Sequence, residues 1–172
     1  MTMFDIVRIV RGVRNVRIVH GVRIVLIVLT TLVQTDTGMR AQGSGILVRH
    51  QAPTDRALDF QLVALQAEFA EMKAQKRAST RLVEGGAFSM NARYLTGGEA
   101  AQIHKTITEF YFVRDGSATL VTGGTIVNNA IRGGVERVIK PGDVVFIPPG
   151  VPHAIRDTTA ISYLNIHFGG TD

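Results

Sequence analysis

The residues of this chain best suited to chemistry lie in two stretches. The first, QIHKTITEFYFVRDG, runs from Gln102 to Gly116. Residues two apart share a face of an extended strand, so Gln102 and His104 point one way and Ile103 the other. The same parity puts Glu109, Tyr111 and Val113 on one face and Phe110 and Phe112 on the opposite one. A short turn over Lys105–Thr108 would fold these runs into a hairpin and gather Gln102, His104 and Glu109. The second stretch, PGDVVFIPPGVPHAIRD, runs from Pro141 to Asp157. Pro148, Pro149 and Pro152 stiffen the loop that delivers His153, and Ile155 shares its face. Imidazole nitrogens and a carboxylate are donor atoms for a divalent metal; the same groups also suit a hydrogen-bonded interior, and a lone histidine can simply end a strand.

The elements that must carry these residues follow from turn chemistry. Beyond Ser79 the chain reads as eight short strands, 79–84, 87–95, 109–116, 117–124, 135–140, 143–148, 153–157 and 161–168, separated by GG, DG, PGD and PPG turns. Residues 79–172 therefore predict a closed or sandwich-like β domain, with Gly123–Gly134 as an excursion between strands. In the last run Tyr163, Asn165 and His167 have one parity and Leu164, Ile166 and Phe168 the other. Either set can face inward; the polar choice adds Tyr163, Asn165 and His167 to a pocket with Tyr111, Val113 and Ile155. Ahead of the strands, Leu58, Leu62, Leu65, Phe69 and Met72 recur at spacings of four and three. This predicts a helix over 54–78, with Thr54 as its N-cap, after a polar linker over 39–53.

The 172 residues suffice for one domain with a sizeable core. There is no cysteine, which excludes disulfides, thiolate metal sites and cysteine nucleophiles. The net charge of +5 is concentrated at the start, where residues 1–38 hold five Arg and two Asp. The remaining 14 Lys and Arg face 12 Asp and Glu, so no basic stripe is evident and nucleic acid is not an expected partner. Residues 6–32 read as a triplet repeat, IVR IVR GVR NVR IVH GVR IVL IVL TTL, whose arginines leave neither a helix nor a strand with a clean apolar side. The arginines followed by apolar Ile24–Val33 suit an export signal and a periplasmic or secreted protein, the apolar run being too short for a stable membrane span. The alternative is a cytoplasmic protein with an over-extended start.

Taken together, the two stretches resemble the paired motifs of the cupin superfamily. Gln102, His104, Glu109 and Gly116 match the spacing of the first motif, and Gly142, Pro148, Gly150 and His153 that of the second. The wording is similar to that of small single-domain bacterial cupins, often exported and preceded by a helix. The resemblance implies a mainly β fold, a jelly-roll barrel with one N-terminal helix, and a metal site made by His104, Glu109 and His153 with Gln102. Such a set suits one divalent ion, Mn, Fe, Ni, Co or Zn. Gln102 stands where most metal-binding cupins have a histidine; its amide oxygen is a weaker ligand, or holds a metal-bound water. Asp157 replaces a usual Asn, and Thr96 holds the place of the first motif's leading glycine. The implied activity is metal-dependent work on a small organic molecule, as an oxygenase, isomerase or lyase. The alternatives are a non-catalytic small-ligand binder or sensor, and a dimerisation module with a vestigial site. A homodimer is expected.

Overall fold

A computed structural model describes residues 46–170; the 1–38 segment and the start of the predicted linker lie outside the described residues. Eleven strands are present among the described residues: β1 (Leu47–Gln51), β2 (Ser79–Glu84), β3 (Phe88–Leu95), β4 (Ile107–Gly116), β5 (Ala118–Thr122), β6 (Thr125–Val127), β7 (Ala130–Arg132), β8 (Val135–Ile139), β9 (Val144–Ile147), β10 (His153–Arg156) and β11 (Ile161–Gly169). One helix, α1 (Leu62–Ala74), precedes β2. The fold is mainly β with a single helix among the described residues, as expected.

The strands form a six-stranded sheet in the order β1-β2-β3-β11-β4-β9 and a three-stranded sheet in the order β10-β5-β8. Their inner faces share one apolar core built from Leu95, Tyr111, Val113, Leu120, Ile139, Val145, Ile147, Ile155, Ile161 and Tyr163. The predicted barrel is corrected here. The two sheets are not hydrogen-bonded into a closed ring, and β9, β8 and β10 remain edges. The glycine-bounded excursion is a small hairpin, β6 with β7, turned by Asn128 and Asn129 at positive φ.

Three local expectations also change. Residues 47–51 of the predicted linker form β1, a parallel neighbour of β2. The helix begins at Leu62, not near Thr54: Gln61 is its N-cap, in extended conformation and without a side-chain capping bond. Leu58 and Phe60 still pack on the second core, but from extended chain, and Leu62 is 55% exposed. The buried stripe of α1 is Leu65, Glu68 and Met72. Glu68 is tolerated there because Arg49 and Arg77 approach its carboxylate at 2.9 and 3.1 Å. Leu65 and Met72 cover Leu82, Val83 and Ala92 on the outer face of β2 and β3, so the six-stranded sheet is covered on both faces there.

The third change matters most for the site. The predicted hairpin between Gln102–His104 and β4 does not form. Gln102 instead makes an isolated antiparallel bridge with His153, through two backbone bonds of 2.9 Å, and Gly150 N–H donates to His104 O at 2.7 Å. The segment before β4 satisfies its backbone on the proline-stiffened loop. β4 is paired on both sides already, with β11 and β9, which leaves no ladder position for residues 102–104.

Candidate metal centre

β4 alternates strictly, burying Glu109, Tyr111 and Val113 on the inner face. Glu109 is 2% exposed. A carboxylate this buried needs partners, and three imidazoles surround it. His104 Nε2 lies 3.0 Å and His153 Nε2 3.2 Å from Glu109 Oε1, while His167 Nε2 lies 3.4 Å from Oε2. Asn165 Nδ2 donates to Oε2 at 3.0 Å and sits 2.8 Å from His167 Nε2. Each position has a backbone cause. His104 and His153 are joined by the Gln102–His153 bridge and the Gly150 bond, and His167 is the direct cross-strand partner of Glu109 in the β11–β4 ladder.

The tautomer of His153 decides what the cluster can hold. His153 Nδ1 is 3.0 Å from Val151 O, and a carbonyl can only accept, so Nδ1 carries the proton. A neutral His153 then aims the lone pair of Nε2 at Glu109 Oε1. Both atoms are buried without a hydrogen-bond partner, as is Asn165 Oδ1. The 3.2 Å contact becomes a hydrogen bond only when Nε2 is protonated; two facing acceptors otherwise require a cation between them. The ligand atoms of His104, Glu109 and His153 all lie within 4.8 Å of one another. Neighbouring ligands on an ion at about 2.1 Å are separated by roughly 3.0–3.4 Å, matching the two imidazole-to-carboxylate distances. The three residues fit a divalent ion.

Without an ion, a proton on His153 Nε2 is the alternative partner for Glu109, and the charges of the cluster respond to each other. Burial pushes the Glu109 carboxyl up, but the imidazoles of His153 and His167 at its oxygens outweigh burial and hold it well below the ordinary carboxylate range. Burial pushes His153 down, and the Glu109 carboxylate and the Val151 carbonyl together reverse this and raise it. Burial raises the Tyr111 phenol well above its usual value. Burial likewise raises Tyr163, against the opposing charge of Arg93, to about 12. Both tyrosines therefore remain protonated hydrogen-bond donors at neutral pH.

A cavity of about 130 Å³ opens on the cluster. Of the predicted residues, Gln102, His104, Glu109, Tyr111, Tyr163, Asn165 and His167 all line it, so the polar parity of β11 is the inward one. His153 is buried against Glu109 behind this wall. Val113 and Ile155 share parity with Glu109 and His153 and are 3% exposed within the apolar core, outside the cavity lining. Sequence reasoning missed Ser79 and Arg81 on β2, Asn91 and Arg93 on β3, and Glu99. The signal was present, since both pairs are polar residues two apart on strands whose intervening positions are Thr80 and Ala92, each 0% exposed.

Comparison with known proteins agrees with this geometry. Residues 92–167 match the family described as Cupin domain. Over these residues the chain is similar to a cupin domain. Among solved structures, a Bacillus halodurans protein is 17% identical, with a TM-score of 0.53 over 69% of this chain and 86% of its own. A Neisseria meningitidis protein is 16% identical, with a TM-score of 0.48 over 63% of this chain and 100% of its own. A cupin superfamily protein of Desulfitobacterium hafniense is 18% identical, with a TM-score of 0.43 over 52% of this chain and 74% of its own. At 17% identity the likeness to the Bacillus halodurans protein concerns the fold alone. No curated protein matches the chain. The cupin match spans Glu109 and His104, the loop bearing His153, and most of β11, and so contains the whole cluster.

Proposed function

We propose that this cupin domain holds one divalent metal ion through His104, Glu109 and His153 and acts on a small organic molecule in the adjoining cavity. The observation that carries this reading is the pair of buried acceptors, His153 Nε2 and Glu109 Oε1, with the Nδ1 proton already committed to Val151 O. A bound ion would supply a Lewis acid with open positions for an oxygen ligand. The protein's own part is to keep Glu109 ionised, to orient its second oxygen through Asn165 and to present Tyr111 and Tyr163 as donors. Gln102 lines the same cavity and suits a supporting role. Elemental analysis of full-length protein purified without chelators, followed by titration with Mn(II), Co(II), Ni(II) and Zn(II), tests the reading. About one ion per chain is expected, and failure to bind any of the four overturns it.

A second reading, a ligand binder without chemistry, draws on one feature. Glu109 is held far below neutrality and both tyrosines far above it, and His153 as a ligand has no proton to move, so none of these is poised as a general base. Turnover of a bound ligand separates the two readings. A homodimer is supported by an aromatic row on the outer face of the six-stranded sheet. Phe110 packs near Phe146 and Phe168, and Phe168 near Phe88, with Phe146 57% exposed on edge strand β9. A second copy would bring the same row and the same edge, as a twofold interface requires. Export rests on residues 1–38, and sequencing the mature N-terminus from cells tests it. Among the described residues no helix is long and apolar enough to cross a membrane.

A further inference from the structure

The walls of the metal-side cavity carry two guanidiniums, Arg81 and Arg93, in a space whose lining also includes the carboxylates of Glu99 and Glu109. Arg93 is half-buried and bonds Glu99; Arg81 bonds Asn91 Oδ1 through Nε at 3.2 Å and pairs with Glu84, which lies outside the cavity wall. Three carboxylates thus face two guanidiniums before any metal is counted. A divalent ion on His104, Glu109 and His153 turns that balance into a single excess positive charge in a half-enclosed space, which favours an anionic ligand over a neutral one. The remaining lining is rich in donors: the Tyr111 and Tyr163 phenols and the side-chain amides of Gln102 and Asn91.

We infer that the ligand of this site is a small monocarboxylate bearing an oxygen on the adjacent carbon, a 2-oxo or 2-hydroxy acid. The inference rests on the metal-binding reading above and deepens it. One negative charge offsets the excess, a planar carboxylate matches a guanidinium fork, and the adjacent oxygen lets the anion chelate an ion that has three protein ligands and open positions. Size favours a small acid, although the cavity is open on one side. A cavity of about 130 Å³ holds about four waters at about 30 Å³ each, or an organic acid of about three to five carbons. The arginines are placed by register, Arg93 opposite Tyr163 and Arg81 opposite Asn91, so they belong to the same inward band as the metal-side residues of β11.

Isothermal titration of the full-length chain, Mn(II)-loaded and metal-free, with 2-oxopropanoate, 2-hydroxypropanoate, 2-hydroxypropanamide, acetate and inorganic phosphate tests this. At least one of the two acids should bind the Mn(II)-loaded protein about tenfold or more tighter than the amide, acetate or phosphate, and about tenfold tighter than it binds metal-free protein. Arg93→Gln should weaken that acid about tenfold while Mn(II) affinity stays within about threefold. Because Arg93 is half-buried and paired with Glu99, so that its loss could destabilise the domain, Arg81→Gln, at a more exposed position, is measured beside it with the same expectation. Equal binding of acid and amide, equal or tighter binding of phosphate, or arginine variants that bind the acid as well as the parent would overturn the carboxylate inference and leave the metal site standing. If the chain binds another of the four ions but not Mn(II), the titrations are run with that ion; a chain that binds none of Mn(II), Co(II), Ni(II) and Zn(II) overturns both.

Discussion

At the scale of single residues, His153 carries the most informative chemistry, because one of its nitrogens is committed to a carbonyl and the other faces a carboxylate. His153→Ala and His104→Ala should each remove nearly all bound metal, since each leaves only two strong protein ligands. Gln102→Ala should lose far less, within about tenfold in affinity, because an amide is the weakest donor of the set. Metal content after dialysis measures all three, and equal losses would mean that Gln102 ranks with the histidines.

The same residues fix the pH response. Without metal, His153 is raised above 6.5, so its stabilising interaction is fully present below that value and fades as pH rises through its raised folded value. Glu109 is depressed below 4.5, so its contribution is present above that value and is lost only as pH falls through its much lower folded value. Thermal stability of the metal-free protein should therefore be greatest between about pH 4.5 and 6.5 as far as this pair is concerned. It should decline toward pH 8. Metal affinity must run the other way, rising over the same range as the ion displaces the His153 proton. Scanning calorimetry with and without Mn(II) checks both slopes, and parallel slopes would contradict the shared site.

At the scale of elements, the cluster depends on the tight junctions that set the β4–β11 register. Gly116, at the end of β4, has φ of 75°, and a Cβ there would sit 2.1 Å from Ala160 O. Gly116→Ala combines left-handed strain with a backbone collision and should cost about 3 kcal/mol, or roughly 10 °C in Tm. The collision lies at the far end of the ladder from the Glu109–His167 pair, so residual folded protein should still bind metal. A Tm within about 2 °C of the parent would show that the turn relaxes freely.

For the molecule as a whole, the proposed twofold assembly is the reading most open to test. Phe146→Glu places a charge on the exposed aromatic row of β9, and should convert a dimer to monomers in sedimentation velocity while leaving metal content unchanged. A parent chain that is monomeric at micromolar concentration would remove the basis for that assembly. The substitution should change Tm of the monomer by little, since Phe146 is already 57% exposed.

What the sequence determined alone was the set of donor atoms and their parity. Alternation puts Glu109 with Tyr111 on one face of β4, and Asn165 with His167 on one face of β11, whatever the surroundings, because side-chain direction in a strand is a local property. The spacing of prolines and glycines before His153 likewise announced a rigid loop, and the cupin resemblance joined the two stretches. Helix and linker boundaries were less legible, since Leu58 keeps helical spacing yet packs from extended chain on a core made by distant strands. Tertiary structure alone decided how deep each inward residue lies: Val113 and Ile155 share the parity of the ligands but lie in the apolar core between the two sheets, outside the cavity lining. It also decided that Gln102 pairs with His153 rather than with β4, that Arg81 and Arg93 reach the same space, and that His167 stands opposite Glu109. These are pairings between strands distant in sequence, and periodicity within one strand carries no information about which partner it will meet.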